Sequence, residues 1–252
     1  MFSQPSTENN MLRYSRQMVL DGFGAEGQSK LKKARVLVVG AGGLGSPALF
    51  YLAAAGVGTI GIADYDTVSY SNLNRQIVYS TEDIGRNKTD SADERLKYLN
   101  PEIEIIKHTL RINNDNVQGI LAKYDLVIDA ADNFPARYLI NDTAYNLKIP
   151  VVEGAASGYD GILMTIIPDV TPCYRCLYPS PPDEGVLNSP EETGVLGMLT
   201  GIIGTMQAME AVKLILEIGQ IVSGRIITFD ALTSSFRNII WKKRKGCSLC
   251  GE

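Results

Sequence analysis

The sequence predicts an α/β protein: a doubly wound, mostly parallel sheet with a helical arm before it and an antiparallel extension after it. Three features carry that expectation. Short β-branched apolar runs alternate with segments of helical periodicity from residue 35 to about 152. A glycine-rich turn (Gly40, Gly42, Gly43, Gly45) separates the first such run from the first helix of the sheet region. From Gly161 the texture changes, with longer apolar runs around a Pro- and Gly-rich stretch.

The elements follow in order. After a polar tail, residues 11–34 carry a helical apolar pattern with basic residues, broken around Gly22, Gly24 and Gly27, and read as an arm ahead of the core. RVLVV at 35–39 is continuously apolar, as a strand buried on both faces must be. A helix from Ser46 to about Gly56 and a strand from Thr59 to Ala63, ending at Asp64, complete a strand–helix–strand unit. The pattern repeats as a helix over 88–99, a strand over 104–108, a short helix near 114–123, LVID at 126–129, a helix over 135–147 and a strand at 149–152. ILMTII at 162–167 reads as a strand, and 198–218 as a long helix. RIITFDA at 225–231 reads as the last strand. Pro179, Pro181, Pro182, Gly185 and Pro190 make 177–194 a mobile loop.

Composition narrows the function. With 252 residues, 45% apolar and 21% charged, the chain can bury one large core. A formal net charge of −4 provides no excess of cations for a nucleic-acid backbone. No apolar run reaches the roughly 18 residues of a membrane span, and the N-terminal MFSQPSTENN has no signal-peptide pattern. The expectation is a cytoplasmic protein that engages neither nucleic acid nor membrane.

Gly40, Gly42 and Gly45 form a GxGxxG directly after a strand and at the start of a helix, where backbone N–H groups can approach phosphates. With Asp64 closing the second strand on a ribose, the default reading is a dinucleotide such as NAD. The segment DYDTVSYSNLNRQ at 64–76 overturns it. Asp64, Asp66, Ser71, Asn72 and Arg75 crowd one loop beyond the carboxyl edge of the sheet, with Lys88 shortly after. A triphosphate with bound magnesium needs such cations and oriented donors; a nicotinamide site does not. Asp132 and Asn133, just beyond LVID, stand at another strand's carboxyl end, where a magnesium-binding carboxylate is useful. Cys173 with Cys176, and Cys247 with Cys250, form two CxxC pairs that together can hold one structural zinc and use every cysteine in the chain. The sole histidine, His108, falls on a strand and is assigned no role.

With these residues assembled, the chain resembles the adenylyltransferases of molybdopterin and thiamin biosynthesis, relatives of the ubiquitin-activating enzymes. RYSRQ at 13–17, GAGGLGS at 40–46, DYDTVSYSNLNRQ at 64–76, ADN at 131–133, and PCYRC with CSLC carry the likeness, which spans residues 11–252. The resemblance implies a Rossmann-like fold and a single domain over 1–252. Within it, 11–34 is an arm, 35–160 a nucleotide-binding core and 161–252 a carrier- and zinc-binding part. It implies ATP and Mg2+ as reactants at Gly40, Gly42, Gly43, Gly45, Asp64, Asp66, Ser71, Asn72, Arg75, Lys88, Asp132 and Asn133. Asp64 would take the ribose, Asn72, Arg75 and Lys88 the phosphates, and Asp132 the magnesium. Arg16 would reach across a homodimer to the partner subunit's phosphates. The implied substrate is the Gly-Gly tail of a ubiquitin-like sulfur carrier, converted to a carboxy-AMP with release of pyrophosphate. A persulfide donor, such as a cysteine desulfurase or rhodanese, would then form the thiocarboxylate. One departure stands out: LNSPEETG at 187–194 has Ser189 near a place where several relatives carry cysteine, which argues against a covalent enzyme intermediate. The competing readings are adenylation of another protein or peptide C-terminus, a non-catalytic nucleotide- and carrier-binding module, and a nicotinamide oxidoreductase.

Overall fold

In the computed structural model, residues 7–181 and 193–251 are described. The RVLVV run forms β1 (Arg35–Val39) at the heart of an eight-stranded sheet. Val36 and Val38 face one apolar layer while Leu37 and Val39 face the other, so the run is buried on both sides. β2 (Thr59–Ala63), β3 (Glu104–His108), β4 (Leu126–Asp129) and β5 (Val151–Ser157) join it in parallel, in the order β3-β2-β1-β4-β5. The sheet then continues antiparallel through β6 (Asp160–Ile166), β7 (Arg225–Asp230) and β8 (Ser235–Ile240). Because β2 and β4 flank β1 on opposite sides, strand order reverses there, and a crevice opens at the carboxyl ends of β1 and β4.

Helices cover both faces. α3 (Gly45–Ala55), α4 (Lys88–Leu99) and the long α8 (Gly197–Leu216) bury Leu49, Leu52, Leu96, Ala208 and Ala211 against Val36, Val38, Ile60 and Ile62. α5 (Val117–Leu121) and α6 (Phe134–Leu147) cover the other face with Leu121, Tyr138 and Ile140. The one-turn α7 (Tyr174–Leu177) lies on the same side. α8 is long and apolar enough to cross a membrane, yet it lies along α3 and β5 with half its length buried. Its Gln207 is fully buried and donates through Nε2 to the carbonyls of Asp129 (2.7 Å) and Val152 (3.0 Å).

The arm consists of α1 (Thr7–Met18) and α2 (Gly24–Lys33). α1 docks on the amino edge of the sheet. Tyr14 accepts a hydrogen bond from Asn100 Nδ2 at 2.8 Å, Gln17 Nε2 donates to the Ala55 carbonyl at 2.9 Å, and Arg13 donates to the Leu99 carbonyl at 2.9 Å. The Tyr14 ring lies so close to Gly56, at φ +83°, that an added Cβ there would come within 2.6 Å.

Several sequence expectations are corrected. The sheet does not end at 231, because β8 adds an edge strand. β5 runs to Ser157, well past 152, and the helix expected over 114–123 is limited to 117–121. Gly22 and Gly24, both at positive φ, accompany the break in the arm, whereas Gly27 sits inside α2 against Phe23 and Leu216. The expected mobile loop falls largely on 182–192, outside the described residues.

Candidate active site

The glycine turn is shaped by what surrounds each of its members. An added Cβ on Gly40 would come within 2.6 Å of the Ala130 carbonyl oxygen, and one on Gly45 within 1.9 Å of the Gly40 carbonyl oxygen. Gly43 lies against Thr200 of α8. Gly42 differs: among the described residues beyond its chain neighbours, only Gln76 Nε2, at 3.7 Å, comes within 4 Å of its would-be Cβ. Three glycines thus answer to protein packing, while the fourth leaves room above the turn. α3 begins there with no side-chain cap, so the positive end of its dipole is available to an anion.

Asp64 terminates β2 beside the turn. It is 9% exposed; Oδ2 accepts from Ala41 N–H at 2.8 Å and Oδ1 from Asp66 N–H at 2.9 Å. Burial raises its carboxyl above the usual range, with the Lys88 charge and these two N–H groups pulling the other way. The buried Lys88 reaches Asp66 Oδ2 at 2.9 Å. Tyr79 ties the following loop to the turn, donating to the Ala41 carbonyl at 2.8 Å. Within the loop, Asn72 Oδ1 accepts from Ser69 N–H, Ser71 Oγ meets Ser69 Oγ at 3.0 Å, and Arg75 Nη1 donates to the Ser71 carbonyl at 2.7 Å.

On the other side of the crevice, β4 delivers Asp132, exposed and hydrogen-bonded by Asn133 Nδ2 at 3.1 Å. Asn133 also caps α6, accepting from Ala136 N–H at 3.0 Å. Beneath them lies a charge cluster that sequence reasoning missed. Asp129 is fully buried; Oδ1 accepts from Ala131 N–H at 2.9 Å, while Oδ2 has no hydrogen-bond partner among the described residues. Burial raises its carboxyl and the Arg137 charge opposes the rise. Arg137, itself buried, pairs with Glu153 and donates to the Ala131 carbonyl. In the sequence, Asp129 reads only as the end of a strand.

The structure brings the glycine turn, Asp64, Asp66, Ser71, Asn72, Arg75, Lys88, Asp132 and Asn133 to this carboxyl edge. Arg16 is not among them. It is exposed on α1, beside the carboxyl end of α3. The 11 residues of α3, at about 1.5 Å rise each, separate that carboxyl end from the turn by roughly 16 Å. His108 bonds through Nε2 to the Tyr124 hydroxyl at 2.7 Å, a packing role.

The cysteines form a second cluster. Cys173 caps the start of α7 and Cys176 lies within it, and Cys247 and Cys250 follow β8. All four Sγ atoms lie within 4.8 Å of one another, with 3.6 Å between Cys173 and Cys247 and 3.2 Å between Cys176 and Cys250. A tetrahedral metal with ~2.3 Å bonds to sulfur needs edges of about 3.8 Å. The donor set and its spacing fit zinc, and all four residues are unbridged thiols.

A parallel sheet with a glycine turn, an acidic residue closing the second strand and charged loops at the switch point defines a nucleotide-binding enzyme. The ThiF family matches residues 14–249, and the chain belongs to that family. The sulfur carrier protein adenylyltransferase of Thermus thermophilus is 45% identical over 98% of this chain and 93% of its own length. The SAMP-activating enzyme E1 of Haloferax volcanii is 44% identical over 95% of this chain and 88% of its own. The adenylyltransferase and sulfurtransferase MOCS3 of Culex quinquefasciatus is 46% identical over 97% of this chain, which spans 56% of that longer protein. Among solved structures, E. coli MccB with ATP superposes with a TM-score of 0.84 at 24% identity, over 98% of this chain and 76% of MccB, a likeness of fold. The chain is an ATP-dependent adenylyltransferase of the ThiF family.

Proposed function

We propose that the chain uses ATP and magnesium to adenylate the C-terminal Gly-Gly carboxylate of a small ubiquitin-like sulfur carrier. The observation that carries this reading is the two-sided crevice: an open phosphate turn at Gly42 with Lys88 and Arg75 on one side, and Asp132 on the other. The naming of the Thermus relative for a sulfur carrier supports the substrate class.

The chemistry asks little acid–base work of the protein. A carboxylate oxygen of the carrier attacks the α-phosphorus, a C–O–P bond forms, the bond to the bridging oxygen breaks, and pyrophosphate leaves with the electron pair. Asp64 orients the ribose; the α3 amino end, Lys88, Arg75 and Asn72 hold and neutralise the phosphates; Asp66 keeps Lys88 in place. Magnesium, held by Asp132, would add charge neutralisation at the phosphates. Ser71 and Asn133 line the same loops.

The four cysteines would hold zinc as a structural clamp with no open ligand position, leaving no thiol for a covalent carrier bond. Ser189 lies outside the described residues. Sulfur is then delivered to the adenylate by a separate persulfide donor, such as a cysteine desulfurase or rhodanese. Free thiols suit a reducing cytoplasm. Arg16 serves the partner subunit of a homodimer. Its distance from its own turn supports that role, as do the exposed apolar residues Met198, Ile202 and Met209 along α8, which offer a surface for a second copy.

The test is ATP–pyrophosphate exchange with purified protein, magnesium and a panel of ubiquitin-like carriers ending in Gly-Gly, each beside a tail-truncated control. Exchange that needs the intact tail is expected. Nucleotide binding with no exchange across the panel would transfer the assignment to another peptide C-terminus or to a binding module.

A further inference from the structure

We propose that Gln76 is a substrate-binding residue of the adenylation site, donating through its side-chain amide to a phosphate oxygen of ATP above Gly42. The inference rests on the nucleotide site described above and adds a ligand to it.

Gln76 is 4% exposed, its Oε1 is buried without a hydrogen-bond partner, and Nε2 makes no hydrogen bond with any described residue. Nε2 is thus a side-chain donor left without a protein acceptor at the edge of the turn, where a ligand acceptor can complete it. The side chain is also aimed. Among the described residues other than Gly42's chain neighbours, Nε2 is the atom that comes within 4 Å of the position a Cβ on Gly42 would occupy, so the amide borders the open space over the phosphate turn.

The backbone fixes that direction. Gln76 N–H donates to the Asn72 carbonyl at 2.9 Å and its carbonyl accepts from Tyr79 N–H at 3.1 Å. Tyr79 in turn is bonded to Ala41 within the glycine turn. The start of α8 braces the same loop, since Gly197 packs against the Asn74 carbonyl and Arg75. The loop and the turn are therefore held in register before ATP arrives, the preorganisation that lets a donor act at a developing charge.

The residue type fits the task. A carboxylate here would repel the triphosphate and compete with it for Lys88 and Arg75. A lysine or arginine would add a third cation to a cradle that already holds Lys88 and Arg75. A neutral amide adds a directional donor while leaving the charge balance of the cradle unchanged.

The experiment compares wild type with Gln76→Met, which keeps the volume and removes both hydrogen-bonding ends, and with the near-isosteric Gln76→Glu. Binding of a magnesium complex of a non-cleavable α,β-methylene ATP analogue is measured without any carrier, alongside the melting temperature of the free protein. Gln76→Met is expected to melt at or above the wild-type temperature yet bind the analogue at least tenfold more weakly, and Gln76→Glu to bind more weakly still. Affinities within twofold of wild type in the folded variants overturn the proposal. Should neither variant fold, wild-type protein labelled with 15N-glutamine decides: a side-chain amide pair that shifts on adding the analogue supports the assignment, and amide pairs that all stay in place overturn it. Because this readout needs no carrier, it stands or falls separately from the choice of carrier, which pyrophosphate exchange tests.

Discussion

Gly42 and Gly45 are both glycines of one turn, and their surroundings assign them different work. Gly42→Ala places a methyl group in open space and should fold with a melting temperature near wild type, while binding ATP at least tenfold more weakly in calorimetry. Gly45→Ala drives a methyl group into the Gly40 carbonyl oxygen and should cost about 2–4 kcal/mol in thermal or denaturant unfolding. Asp132→Ala should abolish pyrophosphate exchange and leave melting temperature and any bound zinc unchanged, since Asp132 is exposed and its one hydrogen bond among the described residues is with Asn133. Turnover in that variant would remove Asp132 from the mechanism. The candidate residues legible in the sequence are those whose neighbours are close along the chain, such as the glycine turn and the 64–76 segment. Asp129, Arg137 and Glu153 escape notice because each is ordinary for its own element, and their charges meet only when β4, α6 and β5 come together. Gln76 was in plain view within the motif, but its burial and its lack of partners are properties of the fold alone.

Among elements, the short 3-10 turn Thr81–Asp83 links the nucleotide loop to α4. Asp83 accepts from Ser80 N–H at 2.7 Å and Ser80 Oγ at 2.8 Å and faces Arg86 and Arg95. Burial works against its ionisation, but the Ser80 hydrogen bonds and the Arg95 charge outweigh it and hold the carboxyl below its usual range. A carboxyl lowered in the fold contributes stability above its unfolded pKa of about 3.9, and that contribution is lost as pH falls through the folded value. Asp83→Asn should therefore cost about 1–3 kcal/mol at neutral pH, and the gap to wild type in denaturant titrations should narrow below about pH 4. A gap that is unchanged down to pH 2 would show that the charge contributes nothing. β1, β2 and β4 read correctly from sequence as apolar runs buried on two faces, and β3, partly exposed, reads at its observed bounds as well. β5 continues through Gly154, Ala155 and Ala156, small residues with no β-branched signature, and so looked shorter than it is. β8 is an edge strand whose residues are mostly exposed, so no alternation of apolar and polar positions marks it.

For the molecule as a whole, sequence patterns pointed to the order of elements and the doubly wound class, while the placement of the arm required the structure, because the Tyr14–Asn100, Gln17–Ala55 and Arg13–Leu99 contacts show which edge α1 occupies. Arg16→Ala mixed with Asp132→Ala should recover partial exchange activity in heterodimers; no recovery after confirmed subunit exchange would return Arg16 to its own subunit. Removing zinc with a strong chelator should lower the melting temperature and weaken ATP binding together. Cys173 and Cys247 stand 74 positions apart, so a metal joining them fastens α7, α8, β7 and β8 into a hoop. By loop-closure entropy alone, such a hoop withholds about 4 kcal/mol of freedom from the unfolded chain. α8, which sets Thr200 beneath Gly43, is part of that hoop. With a metal bound, the buckle on one face of the sheet would steady the floor of the glycine turn on the other, and how far that floor can breathe would be set by how firmly four distant sulfurs are held.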